Sequence, residues 1–597
     1  MKNINIILII LLCVVVIAAV LLVARMTAQP NLEKVLPIST VIYCYIPDFP
    51  LAKSDLKETA IYKATQNLKI AELGKNKVND YYRKVEGYID FDIRKLEPYF
   101  KKDVAWAILE WDKKRSDILF VILANIKDSK KELKKYFEEE LKPQLQNQGY
   151  KIASKNYKGY DYFIVAGKKP LFYYAFLGKI FLYSKEEGAM LRVINLSQGQ
   201  GMTLKENKNF QRVKSKLSYK KGLLFYTDIS AILTTYKEKL KGKKEGFGTL
   251  YRLMGIDSLR GFGLNSSVER EGFRTRAFVQ LPKDASGIMQ IVLKHKPRKV
   301  ECLNYIPREF PLVNIGAFYN PSQIWDDTLE QLSKLLPPAQ YQSFQNRISL
   351  GQQALDIDLK KDVLDCLGNE MAICAALTQP ESEKQIKHPL EILEKGSFLL
   401  LMEVNKVKRL SALLERLIAA GGLYLKAKPQ EEEYKDYKLK YLKGERFSPA
   451  TPGFTFIENF LLVSSHIEPI KRAIDAYQAG KVLNSHADFL KTYEGMEEKI
   501  NRLVYMDVRA ILKQAPLLCL NLLAPEGKSP QEMEQLKKEL IQLSDKIFGS
   551  CMVAKVTRDG IIMDSYCSLG PVPLLAGRPA LLTLQKRIPV LTKKRIP

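Results

Sequence analysis

Histidine is almost missing from this chain. Only His295, His388, His466 and His486 occur in 597 residues, and no two stand at helical ligand spacing. That disfavours histidine-based metal and triad chemistry. Also missing are the phosphate-cradling GxxxxGK(S/T), a strand-following GxGxxG, the zinc-binding HExxH and the nucleophile elbow GxSxG. Cysteine is sparse. Besides Cys13 there are Cys44, Cys302, Cys366, Cys374, Cys519, Cys551 and Cys567, with no CxxC and no metal spacing. No cofactor, no metal and no catalytic residue is therefore expected.

Negative charge is the scarcer sign: 66 acidic against 93 basic residues, a formal net charge of +27. Such an excess suits anionic lipid or an anionic wall polymer. The lysines alternate with glutamates along helices, as in "DSKKELKKYFEEELK" (Asp128–Lys142), and form no basic groove interleaved with aromatics. Specific nucleic-acid binding is not expected. Long apolar runs are lacking too, save one. Ile6–Ala24 is uninterrupted by charge and close to the ~20 residues that cross a bilayer as a helix. A cleaved signal is the rival. Its best cut follows Ala28, but Met26 stands where a small residue is wanted. The expectation is a single-pass anchor in the cell membrane with an extracytoplasmic body.

What the chain does contain is a repeat. "LLFYTDISAIL" (Leu223–Leu233) returns as "RLVYMDVRAIL" (Arg502–Leu512). Around it, in unbroken order, "FVILAN" (Phe120–Asn125) matches "FLLLME" (Phe398–Glu403), and "YKGY" (Tyr157–Tyr160) matches "YKDY" (Tyr434–Tyr437). "KIFLYSKEEGAMLRVINL" (Lys179–Leu196) matches "NFLLVSSHIEPIKRAIDA" (Asn459–Ala476), and "VEREGF" (Val268–Phe273) matches "VTRDGI" (Val556–Ile561). The period is too long for a solenoid, so whole domains are duplicated. The expected layout is an anchor and stem over residues 1–28 and a first lobe over 29–295. A second lobe follows over 296–570, joined near "KHKPRK" (Lys294–Lys299), with a flexible basic, proline-rich tail over 571–597. Apolar strands, amphipathic helices and hairpin signals together predict an α+β fold. Each lobe would be a largely antiparallel sheet with helices packed on one face, and Phe120–Ala124 and Phe398–Met402 would be central strands.

Three aspartates stand out. Asp228 and Asp507 each separate a strand from a helix, the place of an N-cap. Asp358, in "DIDLKKD", is expected to cap the helix after it, as Asp92 would in the first copy; the spacing lacks the glycine and glutamate of a calcium loop. Cys551 and Cys567 lie equally far from Asp559. With Asp559 at the centre of a hairpin turn they would face each other on one side of the sheet, as a disulfide or as neighbouring thiols. "WAILEW" (Trp106–Trp111) and the tyrosine-rich stretch Gly159–Phe176 read as strand faces or as the lining of an apolar pocket.

"LPISTVIYCYIPDFPLAKSDLKETAIYKA" (Leu36–Ala64) and "LDIDLKKDVLDCLGNEMAI" (Leu355–Ile373) resemble an uncharacterised family of bacterial envelope proteins, a domain of unknown function. The resemblance implies a single-span or signal-bearing protein with a large extracytoplasmic body; it implies no activity and no site residues. The expected function is that of a membrane-anchored, non-enzymatic binding or scaffolding protein of the cell envelope. The alternatives are a carrier or sensor of an apolar, lipid-like ligand, and an enzyme of unrecognised type.

Overall fold

The computed structural model describes residues 31–66, 68, 93–111, 118–167, 170–218, 221–240, 251–376, 397–425, 427–444, 451–514, 516, 519–520 and 529–570. The apolar segment Ile6–Ala24, Asp92 and the tail 571–597 lie outside them. Among the described residues no helix is long and apolar enough to cross a membrane.

The fold is α+β and its strands pair antiparallel. The first copy supplies β1 (Ile42–Ile46), β2 (Val104–Trp111), β3 (Ile118–Asn125), β4 (Lys151–Tyr157), β5 (Tyr160–Ala166), β6 (Pro170–Leu177), β7 (Ile180–Ser184), β8 (Leu223–Asp228), β9 (Gly261–Glu269) and β10 (Gly272–Gln280). The second supplies β11 (Leu312–Ala317), β12 (Leu367–Ala376), β13 (Ser397–Val404), β14 (Lys428–Tyr434), β15 (Tyr437–Lys443), β16 (Gly453–Ile457), β17 (Phe460–Ser464), β18 (Arg502–Met506), β19 (Ser550–Thr557) and β20 (Gly560–Cys567).

Two compact units result, Met1–Pro50 with Glu86–Lys208, and Leu51–Val85 with Asn209–Pro597. In the first unit the strands run in the order β1–β2–β3–β7–β6–β5–β4. In the second unit β11–β12–β13–β17–β16–β15–β14 repeats that order strand for strand. The register repeats as well: Val121 pairs with Ser184, and Leu399 with Ser464. Tyr226 of β8 pairs into β9 as Tyr505 of β18 pairs into β19. Each copy even makes the same side-chain bond, Ser184 Oγ to Phe120 O (2.8 Å) and Ser464 Oγ to Phe398 O (2.7 Å).

Helices cover both sides of the sheet where one side was expected. Val121 and Leu123 point to one side of β3, Ile122 and Ala124 to the other, and all four are buried. In the second copy Ile470 and Ile474 of helix Ile467–Gln478 pack against Leu399, Leu401 and Leu462. Leu410 and Leu413 of helix Val407–Leu425 pack on the opposite side, against Phe454 and Leu461. Continuous apolar strands leave no polar side for water, so a second layer is required.

The compact units cut across the duplication because β10 of the first copy pairs along its length with β20 of the second, from Phe273↔Cys567 to Gln280↔Gly560. Arg276 meets Asp564 in this ladder, and the two are 288 residues apart, the same offset that relates Gly272 to Gly560. Arg276 and Asp564 are therefore the same position in the two copies, and they meet on the internal two-fold axis. The guanidinium grips the carboxylate with Nε–Oδ1 2.7 Å and Nη2–Oδ2 2.9 Å, a bidentate fork. The hairpin tips reach across the seam in both directions. Asp559 binds Arg212 and Lys216, and Glu271 binds Lys491. Arg270 adds a forked pair with Glu494 at 2.5 and 3.1 Å.

The hairpins correct the proposed cysteine pair. Glu269 pairs with Gly272 and Thr557 with Gly560, so the loops hold two residues, Arg270–Glu271 and Arg558–Asp559. The glycines open the returning strands instead of sitting at the tip. A Cβ on Gly560 would stand 2.0 Å from Val279 O, and one on Gly272 2.5 Å from Phe548 Cζ. With Asp559 off-centre the register slips by one. Cys551 lies opposite Tyr566 and Cys567 opposite Ser550, so the two thiols point to opposite faces and both are free.

The axial pair yields a charge-swap prediction. Arg276→Asp and Asp564→Arg should each cost about 2–3 kcal/mol, discounted for the water that Arg276 still touches. The double exchange should recover most of the loss. Denaturant unfolding checks it, and a double variant no better than the single ones would mean that the fork does not hold the seam.

Candidate functional site

The three aspartates singled out in the sequence are helix caps. Asp228 Oδ1 accepts from Ala231 N (3.0 Å) and from Ser230 Oγ (2.5 Å). Asp507 Oδ1 accepts from Ala510 N (3.1 Å), and Asp358 Oδ1 from Lys360 N (3.1 Å) and Lys361 N (3.0 Å). The helical turns behind Asp358 span Leu359–Val363 and Leu364–Cys366. In each case the oxygen satisfies N–H groups that the first turn leaves without partners.

Around Asp507 the second copy builds a polar cluster. Tyr505, fully buried, lies 3.2 Å from Asp488 Oδ2 and 3.2 Å from His486 Nδ1. Gly549 N donates to the same Asp488 oxygen (2.9 Å), while Arg509 stands 3.2 Å from Oδ1 and 3.7 Å from Asp507. Burial is the main cause that lowers the His486 pKa and raises that of Tyr505. Both groups are thus held neutral, and each Asp488 oxygen already has a partner. The arrangement locks helix Ala487–Tyr493 to β18. The first copy repeats only its aromatic half: Phe210 meets Tyr226 edge-on at 5.1 Å as Phe489 meets Tyr505 at 5.3 Å. At the positions of Asp488 and Arg509 it carries Asn209 and Ser230.

Sequence reading missed a second matched pair. Asp103 and Glu370 are buried at the start of β2 and at a β-bulge of β12, and burial raises the pKa of both. Asn125 Nδ2 donates to Asp103 (2.7 Å), and Glu301 N and Cys302 N donate to Glu370 (2.8 and 3.0 Å). A second junction cluster joins Lys294 to Asp327 (2.8 Å) and Asp327 to Tyr319, with His295 stacked edge-on against Tyr319 at 4.9 Å. Among the described residues no group of acids, histidines and cysteines is placed to hold a metal ion.

One face of the second copy's sheet is apolar and partly open. Residues paired directly across an antiparallel sheet share a face. One row of such pairs runs Met552–Val504–Asn314–Ile373–Leu400 across β19, β18, β11, β12 and β13. The next row runs Met506–Leu312–Ala375–Phe398. The opposite face of these strands, with Val313, Leu503, Cys374 and Leu401, is the closed core. On the rows themselves Ile373 is 43% and Phe398 39% exposed. The first copy leaves the equivalent of Ile373 open too, as Trp106, 37% exposed and 6.3 Å from Phe120, the equivalent of Phe398. Of the "WAILEW" stretch, Ala107 and Leu109 are core and Trp106 belongs to this outer face. The sequence signal was present in the strand Phe398–Met402, apolar on alternate and intervening positions alike.

The pattern of the family described as "Protein of unknown function (DUF3352)" matches residues 6–388 and again 375–571. No curated protein matches the chain. Crystal form I of TP0453 aligns at 12% identity over 45% of this chain and 88% of that one, with a TM-score of 0.23. Crystal form III aligns at 12% over 46% and 91%, with the same TM-score, 0.23.

Two outcomes follow from the polar groups. Asp228→Ala and Asp507→Ala should each lower stability by about 0.5–2 kcal/mol, with the loss at Asp507 the larger because Arg509 loses a partner. Urea unfolding measures both, and a neutral Asp228→Ala would remove the capping role. Glu370 has a folded pKa above its ordinary value of 4.5, so the folded state holds that proton more tightly. Its stability contribution therefore falls as pH rises from 4.5 through the folded value. Glu370→Gln keeps an acceptor for the two N–H groups and should flatten stability against pH across that window. An unchanged profile would refute the assignment.

Proposed function

Because the chain belongs to a family of unknown function, we propose a role read from its own residues: a membrane-anchored, extracytoplasmic binding protein of the cell envelope, without catalytic activity. One observation carries this reading. The two copies present matching, partly open apolar positions (Trp106 and Ile373) on sheets whose other side is closed core, whereas the carboxylates of the polar clusters are taken up as caps and cross-links. Such a surface binds by area and shape. Ile6–Ala24 is the tether, and the excess of basic residues favours an anionic membrane or wall polymer nearby. The partly exposed apolar side also favours the second reading, a carrier or sensor of an apolar ligand, over a purely mechanical scaffold.

Cell fractionation should recover the protein with membranes, and deletion of Met1–Ala24 should release a soluble body that still melts cooperatively. A mature form beginning near Gln29 would identify the segment as a cleaved signal. Full-length protein in the soluble fraction would refute the anchor.

A further inference from the structure

We propose that the outer face of β18, β11, β12 and β13 binds the acyl chain of a single anionic amphiphile, with Arg502 at its carboxylate or phosphate head. This rests on the binding-protein reading and names its ligand class. The argument begins with the alternation rule. An antiparallel sheet that meets water on one side places polar residues there. Here Val504, Leu312, Ile373, Leu400 and Phe398 take that side.

The flanks of this face are closed by the chain itself. Helix Val407–Leu425 packs in the cluster that includes Met402, and helices Val508–Gln514 and Pro530–Ser544 in the cluster that includes Met506. Helix Pro321–Leu335 abuts β12. Between them Ile373 and Phe398 stay open at 43% and 39%. Five strands from β19 to β13, at 4.7–4.9 Å each, make a strip about 19 Å long, which suits an extended fatty acyl chain.

Two features choose this occupant over a flat protein partner. Methionines line the strip, with Met552 and Met506 in its rows and Met371 and Met402 in the row beside them. Unbranched thioether side chains adapt to a flexible apolar ligand, where branched side chains would fix one shape. Among its described residues the strip also carries one charge. Arg502 pairs with Gly316 next to the row of Asn314, is exposed, and donates from Nε to Asn314 Oδ1 (3.0 Å). Among the described residues no carboxylate lies within ion-pair range of it. A lone guanidinium at the side edge of an apolar strip, one strand in from its β19 end, matches an anionic head joined to a single tail.

The test is photo-crosslinking of the full-length chain in its membranes with a diazirine-bearing palmitate, with labelled peptides mapped by mass spectrometry. Labels are expected on β11–β13, at Leu312, Met371, Ile373 or Phe398, and should be competed by oleate but not by phosphatidylcholine vesicles. Ile373→Glu should cut this labelling at least tenfold, and so should Phe398→Glu; both sites are solvent-open, and an unchanged melting temperature confirms folding. Leu350→Glu, on the exposed helix Pro338–Leu355, should leave it unchanged. Arg502→Glu should weaken competition by oleate but not by its methyl ester. Labelling confined to Ile6–Ala24, labelling indifferent to both glutamate variants, or competition by vesicles instead of oleate would overturn the proposal. Loss of membrane association with strip labelling intact would sink the anchor alone. Membrane association without strip labelling would sink the acyl-chain site alone.

Discussion

The seam between β10 and β20 constrains the strands on either side of it in the second unit. Two copies of one fold joined through the same strand must meet about a two-fold axis, and the residue on that axis faces its own counterpart. A symmetric pair of chains would set Arg against Arg or Asp against Asp there, at the spacing of a strand pair, and like charges directly opposite repel. Fusion into one chain lifts that restriction. One copy keeps Arg276, the other Asp564, and the repulsion becomes a bidentate fork. Around the fork the symmetry is kept wherever it costs nothing. Gly560 makes room for Phe278 and Gly272 for Tyr566, the same contact written twice. Asp559 binds Arg212 as Glu271 binds Lys491.

The two copies also serve as each other's control. What both retain is required by the fold: the serine that bonds back to β3 or β13, the aromatic pair under the capped helix, and the buried carboxylate near the start of the second strand. What one copy alone carries is free to specialise. The charged set Asp488, His486 and Arg509 belongs to the second copy only, yet its bonds end on Tyr505, Gly549 and Asp507, all within the same packing unit. Its divergence has tightened a joint between helix Ala487–Tyr493 and β18.

Legibility in the sequence followed the range of the interaction. Asp228, Asp507 and Asp358 were readable because a cap is settled by residues two or three positions on. The central place of β3 and β13 was readable because unbroken apolar runs need cover on both sides. The hairpin at Val556–Ile561 was misread by one residue, since a glycine after an acid suggests the tip of a turn. Here the glycine was demanded by Phe278 and Val279 of a strand from the other copy. That single slip placed Cys551 and Cys567 on one face. The buried state of Asp103 and Glu370 was not readable at all, because their donors Asn125 and Glu301 are remote in sequence.

The same long-range logic bears on the open strip. A strand apolar on both sides is a statement that two layers will cover it, and the second copy supplies them unevenly. Its inner side is closed by helix Ile467–Gln478 and its outer side is covered at the flanks. The first copy leaves Trp106 open at the position equivalent to Ile373. Exposure of a large apolar side chain is unfavourable by roughly 25 cal/mol per Å² left in water. The fold meets this cost at the same place in both copies, with methionines beside it in the second, and on that repetition the proposed acyl-chain site rests.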